Sequence, residues 1–226
     1  MADWLPLMWS SLVPLLQATV TFTIPLTLIT FTLGLALGLL CAVIRLFGPR
    51  PLVWIVRFYV WVIRGTPLLV QLFLIFYGLP SLGITLDAFV AGLIGFTLNV
   101  GAYTSEILRA ALSSVSKGQW EASYSIGMNW RQTMTRTIVP QASRVAVPPL
   151  SNSFISLVKD TSLAAAITVP ELFQAAQRIV ATTYEPLVLY VEAALIYLAL
   201  CSVLSALQGR LERRLGQYGG FLEERT

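Results

Sequence analysis

A long stretch without any charged residue, from Trp4 to Ile44, constrains the fold of this chain more than any other feature. A second uncharged stretch runs from Gly65 to Leu86. A helix needs about 20 mostly apolar residues to cross the hydrocarbon core of a bilayer. Because 56% of the 226 residues are hydrophobic and only 12% are charged, the chain has too little polar surface for a water-soluble globule. The sequence therefore predicts an integral membrane protein.

Three further apolar stretches raise the number of predicted spans to five. They run from Ala88 to Ser105, from Val145 to Pro170 and from Pro186 to Gly209. They are continuously apolar apart from three charged residues, whereas a strand of a membrane β-barrel alternates apolar and polar residues over about 10 positions. We predict an all-α membrane protein in which residues 1–226 form a single transmembrane domain.

The positive charges predict the orientation of these spans. If successive spans alternate, residues 45–64, residues 109–144 and the tail after Gly209 lie on one side of the membrane. Apart from Lys159 inside a span, only Arg178 lies on the other side. Short loops rich in Lys and Arg stay cytoplasmic, so we expect the N-terminus outside and the C-terminus in the cytoplasm. Since the cations are spread over three membrane-flanking segments, the net charge of +4 does not indicate a nucleic-acid partner.

The chain lacks the residues that catalytic sites usually need. It has no histidine, and its two cysteines, Cys41 and Cys201, lie far apart inside apolar stretches. No paired carboxylates, no metal-ligand spacing and no GxxxxGK[ST] phosphate-binding loop are evident. We therefore expect no catalytic residue, no metal site and no cofactor in this chain, and a function in transport that takes its energy from elsewhere.

Gly34 and Gly38 form a small-xxx-small pattern within the first span. Such a pattern lets another helix approach closely, because neither residue has a side chain. We interpret it as ordinary helix packing, with a dimer seam as the alternative.

The longest hydrophilic segment, residues 113–136, is predicted on the cytoplasmic side between the third and fourth spans. It carries Trp120, Ile126 and Trp130 among polar residues. One interpretation is a short helix, ended by Gly127, that presents apolar side chains to a partner. The alternative is an amphipathic segment that lies on the lipid surface.

A string within this segment resembles the EAA loop of ABC-importer membrane subunits. It consists of Glu121-Ala122-Ser123 with Gly127 after three intervening residues, and it departs from the usual pattern at Ser123. In that family the loop forms a coupling helix that docks into the ATPase subunit. The resemblance implies a coupling role for Gly118, Trp120, Glu121, Ala122 and Gly127.

Three other strings resemble the polar amino-acid permeases of the same family. They are RGTPLLVQ from Arg64, LNVGAY from Leu98 and PPLSNSFISLVKDTSLA from Pro148. The last string is most similar to the cystine-type permeases, with arginine, glutamine or histidine as alternative substrates.

This resemblance implies a protein of the bacterial cytoplasmic membrane with several partners. These are an ABC ATPase that binds ATP and Mg²⁺, a periplasmic or extracellular amino-acid-binding protein, and a second permease copy, as in a homodimer. An ion-coupled secondary carrier is the alternative class, but it usually needs internal repeats and more spans. A channel or a scaffold protein would not require an ATPase-docking loop.

Lys159 and Asp160 are adjacent in the otherwise apolar fourth span, where a lone charge is unfavourable by a few kcal/mol. An amino-acid zwitterion needs an anion and a cation in one small site, and this pair offers both. We therefore predict that they bind substrate. The structural alternative is that they neutralise Glu106 or Glu192 and hold the bundle together.

Neighbouring residues on a helix point about 100° apart, so this pair can face one ligand only if the helix is interrupted nearby. An interruption near them would remove this limit, and Thr161 and Ser162 can bond the backbone groups that it frees. Asn99 and Gln71 are neutral polar residues in apolar surroundings and are further candidates for the site. Either one could instead make an interhelical hydrogen bond.

The segment from Glu171 to Glu185 is the longest polar stretch predicted on the outer side. We expect it either to face the binding protein or to form a solvated amphipathic turn.

Overall fold

The computed structural model describes residues 4–216, and side chains up to residue 213. Within this range all regular structure is helical, which confirms the predicted all-α class. The α-helices are α1 Trp4–Ala18, α2 Ile24–Phe47, α3 Arg50–Gly65, α4 Leu68–Phe73, α5 Ala88–Ser114, α6 Lys117–Ser125, α7 Trp130–Thr133, α8 Val139–Asp160, α9 Leu172–Thr183 and α10 Pro186–Gly216. Shorter π-helical segments occupy Thr19–Thr23, Leu74–Gly78 and Met134–Ile138, and 3-10 segments occupy Leu79–Leu82 and Thr161–Ile167.

Three helical runs of the described chain are long and apolar enough to cross a membrane. They are Trp4–Phe47, Ala88–Ser114 and Pro186–Arg213. A fourth candidate is α3 together with Leu68–Leu82, two helices that meet at an angle of 106°. The predicted fourth span falls on α8, which is not among these candidates. The count of five spans therefore stays a prediction.

The sharp angle after α3 has a local cause. Thr66 is extended, with φ −121° and ψ 145°, because it precedes Pro67. Pro67 cannot donate a backbone hydrogen bond, and α4 restarts directly after it. The predicted second span began at Gly65, whereas the structure places Gly65 at the end of α3 and changes the helix direction at Pro67.

The most extensive helix contact joins α2 and α5, which run in the same direction. Gly34 lies against Val100, and Gly38 lies against Thr104 and the backbone of Gly101. Thr104 Oγ1 donates to the carbonyl oxygen of Gly34 across the contact at 3.2 Å. The small-xxx-small pattern thus serves packing within the chain.

A cluster of ion pairs ties α2, α3 and α5 together near the carboxyl end of α2. Glu106 on α5 accepts from Arg45 at 2.6 Å and from Arg109 at 2.9 Å. Arg64 at the end of α3 lies 3.7 Å from the same carboxylate. Glu106 therefore has its own cations and is not the partner of Lys159.

Replacing Glu106 with glutamine should destabilise the chain. Glutamine keeps the shape but removes the charge that three arginines share, and a hydrogen bond to a charged group contributes about 2 kcal/mol. We expect the melting temperature of the purified full-length protein to fall by about 6 °C. The matched variant Glu121→Gln changes an exposed residue and should leave it unaltered. Equal melting temperatures for both variants would show that the cluster does not hold these helices.

The segment after Thr168 does not begin as a solvated turn. Glu171 is fully buried, accepts from the backbone N–H of Gln174 at the start of α9 and accepts from the Tyr197 hydroxyl at 2.7 Å. Burial raises the pKa of its carboxyl, and these donors only partly offset that effect. The interpretation as a solvated turn is wrong at Glu171, because this residue is buried and ties α9 to α10. Further along the same segment, Gln177 and Arg178 are exposed.

Candidate functional site

A partly polar cavity of about 450 Å³ lies between α5, α8 and the bend that joins α3 to α4. This volume lies within the usual range of small-molecule pockets, roughly 300 to 1,000 Å³. Its polar or aromatic lining residues are Thr66, Asn99, Tyr103, Thr104, Asn152, Ser153, Ser156 and Asp160. The cavity is therefore suited to a small polar molecule.

The polar wall of the cavity comes mainly from α8. Asn152, Ser156 and Asp160 recur every four residues, which places them on one face of the helix. Asp160 is the only charged side chain that lines the cavity within the described chain. This wall can accept hydrogen bonds from a cationic group at Asp160 and offer amide and hydroxyl donors beside it.

The opposite wall combines α5 with the bend. Asn99 and Tyr103 are four residues apart on α5 and both line the cavity. Gln71 is buried behind them, and its Nε2 donates to the carbonyl oxygen of Ile63 at 2.7 Å and to Thr66 Oγ1 at 2.9 Å. Its Oε1 lies 3.4 Å from Asn99 Nδ2. Gln71 thus holds the bend closed and orients the Asn99 amide without lining the cavity itself.

The structure separates the predicted site residues into two groups. Asn99 and Asp160 line the cavity, whereas Lys159, Thr161 and Ser162 do not. The α-helix stays regular through Asp160 and changes to a 3-10 segment only at Thr161, so Lys159 points away from its neighbour.

The α-helix gives way to a 3-10 segment directly after the pair, and the hydroxyls of Thr161 and Ser162 bond the backbone there. Thr161 Oγ1 donates to the carbonyl oxygen of Val158, and Ser162 Oγ donates to that of Lys159, each at 2.7 Å. Both hydroxyls therefore serve the backbone where the helix tightens. Their predicted contact with substrate has no support in this geometry.

Residue-by-residue reasoning missed several lining residues. Thr66, Tyr103, Asn152, Ser153 and Ser156 were not singled out, yet all of them line the cavity. A signal was available for Asn152 and Ser156. The polar residues of α8 repeat with a helical period of four and end at Asp160, so they predict a polar face. Thr66 and Tyr103 depend on the bend, which single-residue polarity does not reveal.

The EAA-like string forms the short helix α6, as predicted. Gly127 has φ +81°, a conformation that favours glycine, and it follows the last turn of the helix. The N–H of Met128 donates to the carbonyl oxygen of Ser123 and closes this end. The prediction that Gly127 ends the helix is confirmed.

The two sides of α6 differ in exposure. Ser123 is buried, and its hydroxyl donates to Thr137 Oγ1 at 3.0 Å, which links α6 to the π-helical segment before α8. Glu121, Ala122 and Ile126 are exposed. The departure at Ser123 therefore lies on the side that faces the chain. Of the other predicted positions, Gly118, Glu121, Ala122 and Gly127 are exposed, and Trp120 is half-buried.

The chain matches the family model for the "Binding-protein-dependent transport system inner membrane component" over residues 34–217. It is 54% identical over 206 residues to the L-cystine transport system permease protein TcyB of Bacillus subtilis, covering 91% of this chain and 88% of that protein. It is also 36% identical over 212 residues to the glutamine transport system permease protein GlnP of Escherichia coli, covering 92% and 97%.

Solved structures agree with this relationship. A crystal structure of an amino acid ABC transporter with histidines contains a chain that is 34% identical, with a TM-score of 0.89 and coverage of 95% of this chain and 99% of the other. The MetNI methionine ABC transporter shares the fold, with a TM-score of 0.70 at 20% identity. The chain therefore belongs to the binding-protein-dependent transport system inner membrane components, the permease subunits of ABC transporters.

Proposed function

We propose that this permease forms the translocation pathway of an ATP-driven importer for polar amino acids and that it carries cystine. The observation that carries the proposal is the cavity beside α8, in which one carboxylate is surrounded by neutral polar groups. The similarity to the cystine permease of Bacillus subtilis supports the substrate. Arginine, glutamine and histidine are the alternative substrates, while an ion-coupled carrier does not fit the family.

The lining chemistry suits an α-amino acid. Asp160 pairs with the substrate ammonium, because a hydrogen bond between two charged groups is stronger than one between neutral groups. The amides of Asn99 and Asn152 and the hydroxyl of Ser156 donate to the carboxylate. Gln71 acts indirectly by orienting the Asn99 amide, and Lys159 does not contact the substrate.

We propose the following assignments as well, and membership of the family supports them. The chain crosses the membrane five times, with its N-terminus outside and its C-terminus in the cytoplasm, and α8 is the fourth span. Residues 1–226 act as one transmembrane domain. Two identical copies enclose the pathway, and an amino-acid-binding protein delivers the substrate. An ABC ATPase binds ATP and Mg²⁺ and docks on α6. Its predicted contacts there are Gly118, Trp120, Glu121, Ala122 and Gly127.

Reconstitution tests this proposal directly. The permease is purified together with its partner ABC ATPase and placed in vesicles, and the amino-acid-binding protein is added outside. We expect uptake of labelled cystine that requires both ATP and the binding protein, with weaker competition by arginine, glutamine and histidine. Uptake driven by an ion gradient without ATP would refute it.

Substitution of Gly127 tests the coupling surface. A leucine at this positive φ costs about 1 kcal/mol locally and displaces the end of α6. We expect Gly127→Leu to lower substrate-stimulated ATP hydrolysis at least about tenfold while the membrane helices stay folded. Gly83 also has a positive φ, +80°, and nothing lies within 4 Å of its position, so Gly83→Leu adds the same strain away from α6. If both variants hydrolyse ATP alike, α6 has no specific coupling role.

A further inference from the structure

Glu192 is a buried carboxylate inside the last predicted span and plays no part in the cavity beside α8. Its side chain is 3% exposed. Ser11 of α1 donates to its Oε2 at 2.6 Å, while its Oε1 has no hydrogen-bond partner among the described residues. A buried charged oxygen without a donor is costly, and ionisable residues in spans are almost always paired.

A separate cavity of about 360 Å³ opens beside this carboxylate, between α1 and α10. Its other walls are apolar, including Leu5, Trp9, Leu195 and Ala199. No Lys or Arg of the described chain lines it. The cavity therefore offers one negative group and an apolar surface, and the chain itself supplies no cation to fill it.

The position of the cavity points to the lipid headgroup zone. Glu192 lies six residues after Pro186, which is about 9 Å along α10. Four exposed aromatic residues surround the same ends of the two helices: Trp4, Trp9, Tyr184 and Tyr190. Trp and Tyr concentrate where hydrocarbon meets water. Leu5 and Leu195 are 70% and 50% exposed, so the mouth of the cavity opens on an apolar outer surface of the chain.

We propose that this cavity binds the ammonium headgroup of phosphatidylethanolamine, with the incompletely hydrogen-bonded carboxylate of Glu192 as the acceptor and the apolar walls against the upper acyl chain. A primary ammonium has three N–H donors and a positive charge, and both match the unpartnered oxygen. The choline headgroup carries the same charge without any N–H donor. The site thus discriminates between two zwitterionic lipids of similar shape, independently of what the permease transports.

The test measures which lipids stay bound to the purified full-length protein. The protein is incubated with vesicles that contain phosphatidylglycerol and equal amounts of phosphatidylethanolamine and phosphatidylcholine, extracted in mild detergent, and its bound lipids are quantified by mass spectrometry. We expect phosphatidylethanolamine to be enriched over phosphatidylcholine about tenfold at this site. Glu192→Gln should abolish the enrichment, and Glu185→Gln, a change at an exposed carboxylate nearby, should keep it.

A second variant keeps the test valid if Glu192→Gln does not fold. Leu195→Trp fills the cavity from its exposed side and leaves the carboxylate in place. We expect it to abolish the enrichment as well. Equal retention of the two lipids by the parent protein, or full enrichment in either the Glu192→Gln or the Leu195→Trp variant, overturns the inference. If a second copy of the chain covers this face, no lipid reaches the cavity, and the parent protein retains the two lipids equally.

Discussion

Replacing Gly38 with leucine should prevent the chain from folding stably in the membrane. A Cβ atom at this position would collide with Thr104 Oγ1 and would lie 3.0 Å from the carbonyl oxygen of Gly101 and from the backbone nitrogen of Ser105. Backbone atoms cannot move aside without separating α2 from α5. Overpacking of this kind costs about 3 kcal/mol. We expect little detergent-extractable, monodisperse protein, measured by size-exclusion chromatography with a fluorescent tag.

The control for this prediction is Gly209→Leu. Gly209 lies on α10, and nothing lies within 4 Å of the position where its Cβ would be. This variant should yield normal amounts of folded protein. If Gly38→Leu gave the same chromatogram as the parent, the close packing of α2 on α5 would be refuted.

The second large effect is expected for Asp160→Asn. Asparagine is isosteric, so the cavity keeps its shape, but the site loses the charge that pairs with the substrate ammonium. A hydrogen bond to a charged group contributes about 2 kcal/mol, which corresponds to a loss of roughly 30-fold in uptake. ATP-dependent uptake and melting temperature are measured on the same preparation. We expect the melting temperature to stay within about 2 °C of the parent value.

Lys159→Met serves as the comparison for Asp160→Asn, because it removes the neighbouring charge of opposite sign. Lys159 does not line the cavity, so we expect its loss to reduce uptake less than about threefold. Equal losses from both variants would restore the interpretation in which the two charges act as one pair. Parental uptake in Asp160→Asn would exclude Asp160 as a substrate contact.

Features that depend on local chemistry were predictable from the sequence. The uncharged stretch from Trp4 to Ile44 predicts an apolar helical segment, and the structure has a helical run over the same residues. Gly127 was predicted to end α6, since glycine alone adopts a positive φ without strain. Thr161 was identified as able to bond a backbone group, and its hydroxyl donates to the carbonyl oxygen of Val158.

Features that depend on distant contacts were not predictable from single residues. Glu171 looks solvated in the sequence, yet Tyr197 and the first turn of α9 supply its hydrogen bonds, so it is buried. The bend at Pro67 was missed because RGTPLL was interpreted only as the entry to a span. Burial of an acid and the direction of a helix both depend on which elements pack beside it.

The candidate site shows the same division. Asp160 and Asn99 were proposed for their polarity in apolar spans, and both line the cavity. Lys159 was grouped with Asp160 because the two are adjacent, although a regular helix separates their directions by about 100°. The four-residue repeat from Asn152 to Asp160 carried more information than that adjacency.

Substrate protection of a single cysteine in the cavity tests the central claim most directly. Ser156 is exposed and lines the cavity between Asn152 and Asp160, whereas Ser143 is exposed near the start of α8 and does not line it. Ser156→Cys and Ser143→Cys are labelled with a small thiol reagent in the assembled transporter, and the parent chain gives the background from Cys41 and Cys201. We predict that cystine slows labelling of the Ser156→Cys variant at least about fivefold and leaves the Ser143→Cys variant unchanged. Washing cystine out without a reductant should restore the original labelling rate, which a mixed disulfide between cystine and the new cysteine would not allow. Equal labelling rates for Ser156→Cys with and without cystine, in a preparation that still transports cystine, would contradict the assignment of this cavity to the pathway.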